Sequence, residues 1–195
     1  MCGRYYIDEE MASELEKLVH DIDMKIRNMD IKGDIRPSMT APVIYQKDKH
    51  KRLDTFQWGF KKYQGNGLVI NARAESVFEK KMFSGAVVNR RCIIPASGFY
   101  EWDSLKNKFH FTDGHKKILY MAGIFRLEEE NNHFVILTTS ANSSMEPVHD
   151  RMPVILQEDM IDTWLLDGTA TKQILEKVPP VLCREAEVEQ LRFDF

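Results

Sequence analysis

Residues 91–140 read RCIIPASGFYEWDSLKNKFHFTDGHKKILYMAGIFRLEEENNHFVILTTS. Short runs rich in β-branched and aromatic residues alternate here with polar turns, which predicts strands over Cys92–Pro95, Gly98–Asp103, Lys108–Thr112, Lys117–Leu127 and His133–Thr139. Asp113-Gly114 is the strongest hairpin signal among the turns. Upstream, Pro42–Gln46, Leu53–Trp58 and Leu68–Asn71 have the same strand character. Apolar residues at Met11, Leu15, Leu18, Val19, Ile22 and Ile26 give a helical period from Asp8, a candidate N-cap, to about Asn28. A helix is expected around Ala74–Phe83. Downstream, a strand over Pro153–Leu156 is followed by helices over Asp159–Leu166 and Thr171–Val178, the last ending at Pro179-Pro180. Many short strands without βαβ alternation predict an α+β fold with a curved, barrel-like antiparallel β-sheet core and peripheral helices.

The chain has 195 residues, 43% of them hydrophobic and 29% charged. That suits one domain over residues 1–195, with an acidic surface segment from about Glu185. No repeat or Pro/Ser/Gly linker divides it. No run approaches the length of a membrane span, and the N-terminus lacks the apolar region of a signal peptide, so a cytoplasmic protein with no membrane partner is expected. Three cysteines, Cys2, Cys92 and Cys183, suggest neither a disulfide framework nor a zinc site, and no metal or cofactor is expected. Phosphate-loop, dinucleotide and His-Glu-x-x-His motifs are missing. The net charge is −3, but residues 1–127 hold 22 basic against 16 acidic groups and residues 128–195 hold 5 against 14. An acidic total disfavours long duplex DNA, while the basic part leaves room for one phosphate-binding groove.

Five places could carry chemistry. Removal of Met1 would leave Cys2 with an α-amine and a thiol, whose reference pKa values of about 7.7–8.0 and 8.5 make both nucleophiles accessible. Such a pair converts an aldehyde first to a Schiff base and then to a thiazolidine; otherwise Cys2 is only a small residue at a frayed end. Glu101, amid Phe99, Tyr100 and Trp102, is either a carboxyl in apolar company suited to proton transfer or a strand residue turned to solvent. In Asn71-Ala-Arg-Ala-Glu-Ser76, Asn71 and Arg73 either meet an anion or cap a helix. Thr138-Thr-Ser-Ala-Asn142 with His149-Asp-Arg-Met-Pro153 offers phosphate donors at Thr139, Ser140, Asn142 and Arg151 and a titrating imidazole, unless His149 is an ordinary surface or core residue. Trp58-Gly59 beside Lys61 and Lys62 is a base-stacking platform or a core tryptophan.

Met1-Cys-Gly-Arg4, Trp58-Gly59, Asn71-Ala-Arg-Ala-Glu75, Arg91-Cys-Ile-Ile-Pro-Ala-Ser-Gly-Phe-Tyr-Glu-Trp102, Thr139-Ser-Ala-Asn142 and His149-Asp-Arg-Met-Pro153, in that order, resemble the SOS-response-associated peptidase (SRAP) family over residues 1 to about 165. The resemblance implies a single SRAP domain acting in the DNA damage response. It would bind single-stranded DNA and crosslink covalently to abasic sites through Cys2, as a thiazolidine that shields the lesion. It implies that Glu101 binds the α-amine and shuttles protons, that His149 assists sugar-ring opening, and that Asn71 orients Cys2 or the sugar. Arg4, Arg73 and Arg151 would hold phosphates, and Trp58 would stack at a strand junction. Schiff-base lyase and N-terminal self-processing peptidase activities also follow from it, although with only Met1 ahead of Cys2 an ordinary aminopeptidase suffices. A monomer is expected, nucleoid-associated if the source is bacterial. The other reading is a non-covalent reader of damaged or modified bases in which Cys2 forms no bond.

Overall fold

The computed structural model describes residues 2–11, 15, 32–115, 118–128 and 131–186. In chain order these form β1 (Arg4–Ile7), β2 (Gly33–Ile35), β3 (Thr40–Lys47), β4 (His50–Trp58), β5 (Phe60–Lys61), β6 (Leu68–Val69), β7 (Asn71–Arg73), α1 (Ser84–Asn89), β8 (Arg91–Ala96), β9 (Gly98–Trp102), β10 (Lys108–Thr112), β11 (Leu119–Arg126), β12 (His133–Ser140), β13 (Arg151–Pro153), β14 (Ile155–Leu156), α2 (Ile161–Leu166), α3 (Thr171–Leu175) and β15 (Cys183–Ala186). β12 pairs with β4, β4 with β3, β3 with β8, β8 with β11, and β11 returns to β12, so five strands close a ring. The runs RCIIPA of β8 and LYMAGIFR of β11 are buried along almost their whole length. They lack apolar–polar alternation because both faces are covered.

A second sheet has the order β15-β10-β9-β1-β2. Stacked Phe99 and Phe111, 5.1 Å apart, join β9 to β10 inside it. Gly98 opens β9 where backbone and rings crowd in: a Cβ there would lie 2.6 Å from Phe111 O and 2.7 Å from Tyr6 Cε1. Only glycine lets β9 run flush between β1 and β10.

The expected α+β fold with a curved sheet core is observed, and several local expectations change. β12 runs parallel to β4 and to β7, so the sheet is mixed. Asp113-Gly114 makes no hairpin. Gly114 does take φ +80°, but β10 stays in the second sheet and β11 enters the ring, so the chain crosses between sheets there. A hairpin forms just upstream, between β9 and β10, where Asp103 Oδ1 accepts from Leu105 N and Asn107 N at 2.9 and 2.8 Å. The helix expected at Ala74–Phe83 is one 3-10 turn over Ala74–Ser76 followed by irregular turns, and α1 begins only at Ser84. Buried Phe83, Ala86 and Val87 carry the helical spacing, whereas Phe78 is 39% exposed. The acidic segment starts as strand: Glu185 lies in β15, an exposed edge paired with β10. Asp8 caps the N-terminal helix as expected, its Oδ1 accepting from Met11 N at 2.8 Å. The rest of that helix, to about Asn28, lies outside the described residues. Among the described residues no helix is long and apolar enough to cross a membrane.

Candidate active site

Cys2 leads directly into β1, and β1 lies between β2 and β9 with Arg4 opposite Tyr100 and Tyr5 opposite Phe99. Continued by one step, this register sets Gly3 across from Glu101. Cys2 and Glu101 are both buried. Asn71, first residue of β7, donates from Nδ2 to Cys2 O at 3.0 Å. Its Oδ1 is buried and accepts no hydrogen bond among the described residues. Cys2, Asn71 and Glu101 therefore meet where the second sheet touches the ring.

Burial pushes the Cys2 thiol well above its ordinary range, and the Glu101 carboxylate beside it pushes in the same direction. The near-neutral thiol expected from the reference value is therefore not what the enclosed Cys2 presents. Its closest recorded hydrogen-bond partner is Arg4 O, 4.0 Å from Sγ. Attack by this sulfur therefore requires a group to receive its proton, and a buried carboxylate adjoins it.

The register of β7 on β12 places Arg73 beside Thr138, and that of β13 on β12 places Arg151 beside Ser140. Arg73 and Ser140 are exposed and Thr139 is half-buried, so these three can meet a strand at the surface. Arg151 is committed within the protein. It donates to Glu75 Oε1 and Oε2 at 2.7 and 2.9 Å and to Thr138 O at 2.7 Å. This fork holds the Glu75 carboxyl below its ordinary range. Nothing local to Glu75 in the sequence reveals this role, because its partner lies 76 residues away. His149 Nδ1 lies 3.0 Å from Arg151 N and 2.8 Å from Asp150 Oδ1. Nδ1 accepts from the amide when it carries no hydrogen and donates to the carboxylate when it carries one, so the two contacts use alternative placements of one hydrogen. Arg4, half-buried, lies 3.6 Å from Asp34 and holds its guanidinium 5.3 Å from the Trp102 ring centre.

Two expected DNA contacts are corrected. Trp58 is wholly buried, 5.2 Å from Tyr5 and stacked on Phe134, with Nε1 donating to Ile70 O at 3.0 Å. No face of this indole is left for a base. Asn142 donates from Nδ2 to Pro179 O and Pro180 O, while its Oδ1 accepts from Ser144 N and Oγ. The Nδ2 end ties the segment after β12 to the one before β15 and the Oδ1 end braces the turn at Ser144, so the amide's hydrogen-bonding capacity is spent within the protein. Among the described residues, no cluster of three or more His, Cys, Asp or Glu is arranged to hold a metal ion.

The fold recurs in solved structures. A protein from Bacteroides thetaiotaomicron superposes with a TM-score of 0.80 at 22% identity, covering 95% of this chain and 91% of that one. One from Bordetella bronchiseptica gives 0.79 at 21% identity, covering 96% and 100%. By sequence, the chain is 32% identical over 179 residues to the abasic site processing protein YoqW of Bacillus subtilis, covering 85% of this chain and 80% of the relative. It is 31% identical to YoaM of the same organism, covering 91% and 85%, and 26% identical to YedK of Escherichia coli, covering 90% and 84%; both carry the same description. The family model described as SOS response associated peptidase matches residues 1–193. With relatives above 30% identity over most of both chains, this protein belongs to the SOS response associated peptidase (SRAP) family.

Proposed function

We propose that this protein processes abasic sites in single-stranded DNA by forming a covalent crosslink through Cys2 once Met1 has been removed. The observation that carries the reading is the anchoring of Cys2: Asn71 fixes its carbonyl, and the buried Glu101 carboxylate adjoins its thiol. The description of YoqW, YoaM and YedK as abasic site processing proteins supports the substrate. The α-amine of Cys2 attacks the aldehyde of the ring-opened sugar, and loss of water leaves an imine. Cys2 Sγ then adds to the imine carbon. A C–S bond forms, and the thiol proton passes by way of Glu101 to the nitrogen, with no oxidant or reductant required. His149, whose ring nitrogens can give and take a proton, assists ring opening. A lesion left as the imine is open to strand cleavage, which is the route to lyase activity; self-processing would remove what precedes Cys2. The protein acts as a monomer.

Arg4, Arg73, Thr139 and Ser140 contact phosphates in this scheme, with Arg151 clamped behind them by Glu75. Arg73→Ala is expected to weaken DNA binding regardless of sequence and to lower the slope of log affinity against log salt by about one. Arg151→Ala should lower the melting temperature as well, since it leaves Glu75 and Thr138 O without their partner. Titrations at several salt concentrations, with thermal melts alongside, separate the two effects.

The enclosure of Cys2 favours a second reading, a non-covalent reader of damaged bases. Intact mass after incubation with a short abasic oligonucleotide decides between them. A denaturation-stable mass increase equal to the oligonucleotide less one water supports the crosslink, and unmodified protein that still binds DNA overturns it.

A further inference from the structure

Tyr5 is wholly buried, and its hydroxyl has no hydrogen-bond partner among the described residues. Burying a hydroxyl without a partner is unfavourable, and phenylalanine would fill nearly the same volume without that penalty. The surroundings suggest what the hydroxyl is for. Tyr5 follows Cys2 by three residues, and its ring lies 5.2 Å from Trp58. Trp58 bonds to Ile70 O, and the next residue, Asn71, bonds back to Cys2 O. Cys2, Tyr5, Trp58, Ile70 and Asn71 thus form a closed circuit of neighbours around the start of β1. Two buried polar atoms in this circuit, Tyr5 Oη and Asn71 Oδ1, have no partner among the described residues.

We propose that Tyr5 is a positioning residue for Cys2, its hydroxyl donating a hydrogen bond to Cys2 Sγ as the thiol gives up its proton. Burial, together with the neighbouring thiols of Cys2 and Cys92, drives the phenol well above its ordinary range, so it stays a donor and never a competing base. The bond stabilises sulfur in its charged form, the form that attacks the imine carbon. The proton itself still travels from Sγ to the ring nitrogen, and Tyr5 ends as it began. The role rests on the crosslinking chemistry proposed above and assigns to Tyr5 only the second of its two bond-forming steps.

The test is a time course with an abasic oligonucleotide, comparing wild type with Tyr5→Phe. Imine is trapped by borohydride at each point, and stable adduct is counted without reductant. Tyr5→Phe is expected to form imine at the wild-type rate and to convert it to stable adduct about tenfold more slowly near neutral pH. The rising limb of the conversion rate against pH should move up by about one unit, and the melting temperature should be equal to or above that of wild type. A structural role alone would shift melting and leave the limb in place. Equal conversion rates in the two proteins, or an unmoved limb, overturn the assignment of Tyr5 while leaving the crosslink intact. Absence of any stable adduct in wild type overturns both.

Discussion

Cys2→Ser protein lacking Met1 is expected to yield no adduct with an abasic oligonucleotide that survives denaturation without a reductant, where wild type yields one readily. The α-amine remains in the variant and still condenses with the aldehyde, so borohydride should trap an imine. The hydroxyl competes poorly for the imine carbon, because oxygen is the weaker nucleophile and its proton is harder to remove. The uncapped imine should also permit strand cleavage by β-elimination, visible as a shortened oligonucleotide. Cys2→Ala should behave the same way. Reductant-independent adduct at the wild-type level in Cys2→Ala would show that the linkage does not involve sulfur.

The second large effect concerns stability. Trp58→Ala removes an indole packed between Tyr5 and Phe134 and strands the Ile70 carbonyl, so it should destabilise the fold by about 3–5 kcal/mol. Trp58→Phe keeps most of the volume and loses the hydrogen bond, costing about 1 kcal/mol. In neither variant should DNA affinity per folded molecule change, since the ring is enclosed. Urea unfolding gives the stabilities, and binding titrations of Trp58→Phe give the affinity. A tenfold loss of affinity in a Trp58→Phe protein of nearly wild-type stability would restore the indole as a DNA contact.

Trp58 also marks a limit of inference from sequence. Its neighbours Gly59, Lys61 and Lys62 resemble the rim of a groove, and nothing local reveals that β12 will lie against it. The strands of residues 91–140 were legible because their β-branched and aromatic runs state their own conformation. Their partners were not, since the parallel pairing of β12 with β4 and β7 is a property of the closed ring and of no single strand. Asp113-Gly114 likewise advertises a turn without saying which sheet the chain enters next. At the site, Cys2, Asn71 and Glu101 were found by chemical type and do converge. Glu75 and Tyr5 carry no local signal: the carboxylate meets Arg151 only through the pairing of β13 with β12, and the unpartnered hydroxyl of the tyrosine is a property of the folded core.

The insertion of β1 between β2 and β9 also has a meaning in time. On a ribosome the residues around Cys2 are made well before their neighbours Asn71 and Gly98–Trp102. At about 5–20 residues per second, the interval before β9 exists is roughly 5–20 s. Through that interval the segment around Cys2 has no strand to pair with on the β9 side and stands open to other molecules. Once β9 and β7 dock, Cys2 is enclosed. Any reaction that must reach Cys2 from solvent thus competes with folding, because a chain that folds first has already closed over that residue.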